Sequence, residues 1–295
     1  MRALVLALAA AALAAAPAGA ATITSSQGTV VYRAQPGEAL NVTVGFVADC
    51  SGALDCVTFY GDAYTWSNVI CAAQADNSVW CVLDRGVQVV GGDGADRVSV
   101  LDADLGGFPA GAGYALAIDG GAGDDRLDGG SGPETIHGGP GADQIAGRGG
   151  DDALYGDDGN DTLRGDGSTN GNSGLDGGND RLDGGPGDDV LTGDTPDTGA
   201  AIGHDVLDGG PGTDTITGDW FRFDGNANDE DPPPTVTFNG VADDGRPGEN
   251  DDVEHVERID SSVPAGPAAT TYVGDDGPNT FMLLFTNGVV SGGGG

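Results

Sequence analysis

An acidic side chain returns at a constant step through the middle of this chain. Asp125, Glu134, Asp143, Asp152 and Asp161 follow one another nine residues apart, as do Asp180 and Asp189, and then Asp205 and Asp214. Each stands at the sixth place of a phrase Gly-Gly-x-Gly-x-Asp-x-apolar-x, written as GGAGDDRLD from Gly120, GGSGPETIH from Gly129, GGPGADQIA from Gly138, GRGGDDALY from Gly147 and GDDGNDTLR from Gly156. Carboxylates set among glycines, whose bare backbone lets carbonyl oxygens converge, suit one chemistry above others: holding a hard divalent cation in a shell of oxygens. Calcium takes roughly six to eight oxygens at about 2.3–2.6 Å. One such turn offers a carboxylate and a few carbonyls, about half a site, so two stacked turns are needed to complete one.

The elements that must position these acids follow from the rest of the phrase. Places seven to nine read as a short strand whose one apolar residue, at place eight, points inward: Leu127, Ile136, Ile145, Leu154, Leu163, Leu182, Leu191, Leu207 and Ile216. A single repeat cannot bury that residue alone, so the copies must stack. The sixth copy opens at Gly165 and closes at Gly178–Asp183 after ten inserted residues. The seventh is GGPGDDVLT from Gly184. The eighth opens at Gly193 and closes at Gly203–Asp208 after seven inserted residues, and the ninth is GGPGTDTIT from Gly209. A disordered Gly/Asp-rich linker is biased in composition but not phased, so phase favours an ordered stack once the cation is bound. Without it, one aliphatic residue per nonapeptide buries too little to offset chain entropy, and disorder is the expectation.

Nine phased copies resemble the calcium-binding nonapeptides of the repeats-in-toxin family. The resemblance implies an all-β, right-handed parallel β-roll (a β-solenoid), in which two nonapeptides make one coil and calcium ions sit between successive turns on each edge. It carries over Asp125, Glu134, Asp143, Asp152, Asp161, Asp180, Asp189, Asp205 and Asp214 as side-chain ligands for multiple Ca2+. With two copies per coil, odd and even copies fall on opposite edges. Every odd copy is nine residues long and keeps Asp, whereas the even copies hold Glu134, Arg148 at the second glycine, and both insertions. A regular odd edge is therefore expected to pair Asp125 with Asp143, Asp143 with Asp161, Asp161 with Asp189, and Asp189 with Asp214. A weaker even edge should carry the loops Gly167–Asp176 and Thr195–Ala201 side by side, with roots about 4.8 Å apart. An isolated copy, GGDGADRVS from Gly91, adds Asp96 as a further ligand, and a degenerate copy from Gly274 places Asn279 at the sixth position.

Residues 1–20 read as a secretory signal: Arg2, an alanine-rich apolar run, and Ala18-Gly19-Ala20 as the cleavage site. Residues 21–119 form a β-rich N-terminal cap, with strands expected at Thr29–Tyr32, Leu40–Val47, Cys56–Tyr60, Val79–Leu83 and Val87–Val90 and a turn at Gln35–Glu38. Cys50, Cys56, Cys71 and Cys81 make an even count in an exported chain. Disulfides are favoured, with Cys50–Cys56 and Cys71–Cys81 the local pairing, over a zinc site that lacks any Cys-x-x-Cys spacing. Residues 120–219 are the roll. Residues 220–295 are a degenerate C-terminal region with a strand expected at Thr235–Phe238 and an acidic loop (Asp243, Asp244, Glu249, Asp251, Asp252) that either binds another calcium or is merely solvated. The terminal Gly292–Gly295 reads as the opening of a further repeat, so continuation of the chain beyond it is expected. The leader, YRAQPGEALNVTV and NGVADDGRPGENDDVEHVE together resemble secreted calcium-binding proteins of actinobacteria.

A net charge of −36, from 47 acidic and 11 basic residues, disfavours nucleic acid and anionic membrane as partners. No His-Glu-x-x-His or Gly-x-Ser-x-Gly motif is present, and His137, His204 and His255 assemble no triad in sequence. The expectation is a secreted, extracellular, non-catalytic calcium-binding protein without membrane insertion. The alternatives are an adhesin or surface-layer stalk with a cell-surface or matrix partner, and the export module of an enzyme whose catalytic domain lies elsewhere.

Overall fold

The computed structural model describes residues 21–47, 55–61, 64–66, 71–74, 78–83, 85–101, 114–166, 178–193 and 204–217, together with six strand segments beyond them. The leader at residues 1–20, the two inserted loops, Cys50, His255 and most of the acidic loop lie outside the described residues. Among the described residues every regular element is a strand, and no helix is long and apolar enough to cross a membrane.

Among the described residues ten strands precede the nonapeptides: β1 (Ala21–Ser26), β2 (Thr29–Arg33), β3 (Asn41–Val47), β4 (Cys56–Gly61), β5 (Tyr64–Trp66), β6 (Cys71–Ala73), β7 (Val79–Val82), β8 (Gly86–Val90), β9 (Arg97–Val100) and β10 (Ala115–Asp119). The nine copies then supply one short strand each: β11 (Arg126–Asp128), β12 (Glu134–His137), β13 (Gln144–Arg148), β14 (Ala153–Tyr155), β15 (Thr162–Asp166), β16 (Arg181–Asp183), β17 (Val190–Thr192), β18 (Val206–Asp208) and β19 (Thr215–Thr217). Six follow: β20 (Thr235–Thr237), β21 (Asp252–Glu254), β22 (Arg258–Ser261), β23 (Thr271–Val273), β24 (Thr280–Leu283) and β25 (Val289–Ser291).

The glycine turns reverse the chain after each strand of three to five residues, so consecutive copies alternate between two sheets. Odd copies (β11, β13, β15, β17, β19) stack in one sheet and even copies (β12, β14, β16, β18) in the other. Pairing is parallel and in register. Leu127, Ile145, Leu163, Leu191 and Ile216 are successive neighbours in the odd sheet. Ile136, Leu154, Leu182 and Leu207 are their counterparts in the even sheet. All nine are at most 2% exposed and belong to one apolar cluster, so each nonapeptide buries its single aliphatic side chain only because a copy lies above and below it. This is a parallel β-roll.

Both sheets continue into the N-terminal region without a break. On the even side β12 pairs with β10, β10 with β8 and β8 with β2, all parallel. On the odd side β11 pairs with β9 and β9 with β3, again parallel. Beyond them the sheets turn antiparallel through β1 on β2, β4 on β3, and β7 on β4. The core widens here, with Tyr32 and Phe59 fully buried and their rings 4.9 Å apart. Cys71 and Cys81 face each other across β6 and β7 and are joined by a disulfide. Cys56 is also disulfide-bonded. At the far end β21 extends the even sheet while β22 and β24 extend the odd one, and β20, β23 and β25 form a separate parallel sheet.

Candidate metal centre

The acids at place six sit where the chain leaves a turn and enters a strand, so alternation of strands lines them up in two columns. On the odd edge the backbone amide of each acid donates to the carboxylate of the next: Asp96 to Asp125 Oδ1 (2.6 Å), Asp125 to Asp143 (2.7 Å), Asp143 to Asp161 (2.7 Å), Asp161 to Asp189 (2.7 Å) and Asp189 to Asp214 (2.8 Å). The even edge repeats the pattern from Glu134 to Asp152 (2.7 Å), Asp152 to Asp180 (2.8 Å) and Asp180 to Asp205 (2.9 Å). The structure thus brings together, in these two columns, all ten acids that the spacing and its resemblance single out, Asp96 included. Both insertions leave where the chain crosses from the odd to the even sheet, between β15 and β16 and between β17 and β18. Because β16 and β18 are paired, their roots are neighbours.

One oxygen of each carboxylate is thereby accounted for. The other, Oδ2, is buried without a hydrogen-bond partner at Asp125, Asp143, Asp152, Asp161 and Asp189. A buried carboxylate oxygen with no donor is costly unless a cation meets it. Burial pushes these groups upward from the ordinary carboxylate range, Asp143 and Asp189 to about 6, Asp125 and Asp161 to about 7, and Asp152 to about 10. Neighbouring acids in the column add to the rise, as Glu134 and Asp180 do for Asp152.

Glycine at place one completes the cradle. A Cβ on Gly120 would lie 2.6 Å from the Gly138 carbonyl oxygen and would overlap Asp125 Oδ2, so the bare Cα leaves room in which carboxylate and carbonyl oxygens face the same point. Gly156 stands in the same relation to Asp161 and the Gly184 carbonyl, as does Gly184 to Asp189 and the Gly209 carbonyl. Place two takes a left-handed backbone in several copies, with φ of 99° at Gly121, 100° at Gly139 and 87° at Gly185. Arg148 (84°) and Asp157 (67°) adopt it despite their side chains. Among the described residues no three His, Cys, Asp or Glu side chains gather on one point, so carbonyls must supply much of any coordination shell. Paired carboxylates, converging carbonyls and orphaned buried oxygens fit a hard cation such as calcium.

Two features were not read from the sequence. Place five carries a second, exposed ladder running in the opposite sense: Ala142 N donates to Asp124 Oδ1, Asn179 N to Asp151, Asp188 N to Asn160, His204 N to Asn179 and Thr213 N to Asp188, all at 2.9–3.0 Å. The signal was available, since five of nine copies have Asp or Asn at that place. The other is that the turn Gln35–Leu40, between β2 and β3, occupies the position of a glycine turn one coil above Gly91–Asp96, with the Leu40 amide donating to Asp96 Oδ1. His137, stacked on Tyr155 at 4.4 Å with Nδ1 3.1 Å from Asp157 Oδ2, lies part-exposed at the end of its strand in the even sheet.

No curated protein and no solved structure matches the chain. Residues 117–133, 128–163, 176–195 and 201–221 match the RTX calcium-binding nonapeptide repeat in four copies. The two columns of acids are therefore the edges of an RTX-type calcium-binding β-roll, which this chain carries in its central third.

Proposed function

We propose that this is an exported, non-catalytic protein whose roll is assembled by calcium outside the cell. Ions bridge Asp125 to Asp143, Asp143 to Asp161, Asp161 to Asp189 and Asp189 to Asp214 along the regular edge, and Asp152 to Asp180 and Asp180 to Asp205 along the other. Glycine carbonyls complete each shell. The observation that carries this reading is the run of buried Oδ2 atoms without hydrogen-bond partners, which the fold leaves for a cation to satisfy. Each ion cancels two of the charges in a chain of net −36, so binding and folding are one equilibrium. The test is a calcium titration of the secreted chain followed by circular dichroism and calorimetry. Gain of β signal together with uptake of several ions is expected, and no gain at millimolar calcium would remove the reading.

A second reading, a rigid stalk that presents a binding surface, draws on the adjacent roots of the two insertions on one edge. Deleting 167–176 or 195–201 should then abolish attachment to cells or matrix while calcium uptake persists.

A further inference from the structure

The first acid on each edge is held differently from those that follow. Asp96 has both oxygens occupied by backbone amides, Oδ1 by Leu40 N and Oδ2 by Gly92 N at 2.6 Å. Glu134, one methylene longer, reaches its own turn, and its Oε2 accepts from Gly130 N at 2.8 Å. The guanidinium of Arg148 on the next even coil donates to the Val100 carbonyl at 3.2 Å. At Asp125, Asp143, Asp152, Asp161 and Asp189 the corresponding second oxygen has no such donor.

The coil above Asp96 differs in kind as well. Gln35–Leu40 follows the path of a glycine turn but puts Leu40 where the other coils put an acid, and Leu40 is buried in the apolar cluster. Around it the core is two-dimensional: Ile23, Tyr32, Val42, Val44, Phe59, Val79, Val89 and Val98 are each at most 1% exposed, and β6 is tied to β7 by a disulfide. Burial of this extent supports folding without an ion, unlike one aliphatic residue per nonapeptide.

We propose that the N-terminal region and the first coil form a calcium-independent template, with Asp96 closed by two backbone amides and Glu134 turned back onto the amide of its own turn, and that the calcium-filled coils add to it in order from β11 toward β19. This rests on the calcium reading above and assigns Asp96 and Glu134 as ladder-terminating residues instead of ion ligands. The even edge is open to growth only after Glu134, and the odd edge only after Asp96, so the direction of assembly is built into the chain.

Hydrogen exchange on the full chain, read by mass spectrometry across a calcium titration that starts in chelator, tests the order. Amides of β2, β3, β8 and β9 are expected to be protected in chelator while those of β15–β19 exchange freely, and added calcium should protect β13 at lower concentration than β19. Free exchange in β8 and β9 without calcium, or protection of β19 before β13, would overturn the proposal. Calorimetry of Asp96→Asn and Glu134→Gln should give the parent number of bound ions, whereas Asp143→Asn gives fewer. Equal losses in all three would also overturn it. A parent chain that took up no calcium yet kept β8 and β9 protected would instead defeat the calcium reading while leaving the template in place.

Discussion

The amide of Asp143 donates to Oδ1 of Asp161 at 2.7 Å, and the Oδ2 atoms of both residues stay buried without a donor. Each carboxylate is thus divided between two tasks, with one oxygen fixing the register of neighbouring coils and the other free for a cation. That division gives the first prediction. Asp143→Asn keeps an oxygen to accept from Asp125 N but removes the charge, so register should survive while calcium affinity falls. A rise of about tenfold or more in the calcium midpoint, equivalent to ~1.4 kcal/mol, is expected by calorimetry. Replacing Asp143, Asp161 and Asp189 together with Ala should leave the chain expanded at calcium concentrations that compact the parent, as read by small-angle scattering.

Acidity should act on the metal-free chain in an unusual direction. Asp143 and Asp189 at about 6, and Asp125 and Asp161 at about 7, all lie above the ordinary carboxylate value near 3.9. The rolled state therefore binds protons more tightly than the unfolded state. Its stability from these groups is present below about pH 4 and is lost as pH rises through 6–7. In chelator, β signal should grow as pH is lowered from 8 to 5. With calcium present the order reverses, because the ion displaces protons: apparent affinity should fall over the same interval, and binding near pH 6.5 should release protons into a weak buffer.

Leu163 lies in register between Ile145 and Leu191 and is fully buried, so Leu163→Ala leaves a hole that neighbouring coils cannot close. A loss of about 2–5 kcal/mol is expected. In a stack where each unit touches only its neighbours, the loss should spread to the adjacent coils, seen as faster amide exchange in β13 and β17 at saturating calcium.

Gly138→Ala is a test of the cradle itself. The added methyl would overlap Asp143 Oδ2 and lie 2.8 Å from the Gly156 carbonyl oxygen, occupying the space assigned to an ion. Fewer bound ions with the flanking strands still protected is the expected result. A parent-like ion count would place the cation elsewhere.

The roll was readable because its rules are local. A glycine turn, one acid and one aliphatic residue recur at fixed places, so the strand positions and their inward Leu and Ile follow from counting, while the separation of odd from even copies followed from the two copies per coil that the family resemblance implies. The N-terminal strands at Thr29, Cys56, Val79 and Val87 were also legible from β-branched runs, and each appears within a residue or two of its expected bounds. What counting could not give was the role of Gln35–Leu40. Pro36-Gly37 marks a turn, but only the parallel pairing of β2 with β8 and β3 with β9 makes that turn a coil of the same roll. The strand expected at Thr235–Phe238 appears as β20, but the brief strands β5, β6 and β23 carry too few residues for periodicity to register. Their partners are set by long-range contacts.

Because partners in one column are separated by 18 residues in an uninterrupted stretch, as Asp125 and Asp143 are, the molecule has an arithmetic of its own. Excising one nonapeptide would send every later strand to the opposite sheet and move the inserted loops to the other side. Excising two would merely shorten the stack by a storey. Duplication and loss in pairs is thus the path by which such a chain can change length while its two faces keep their identities.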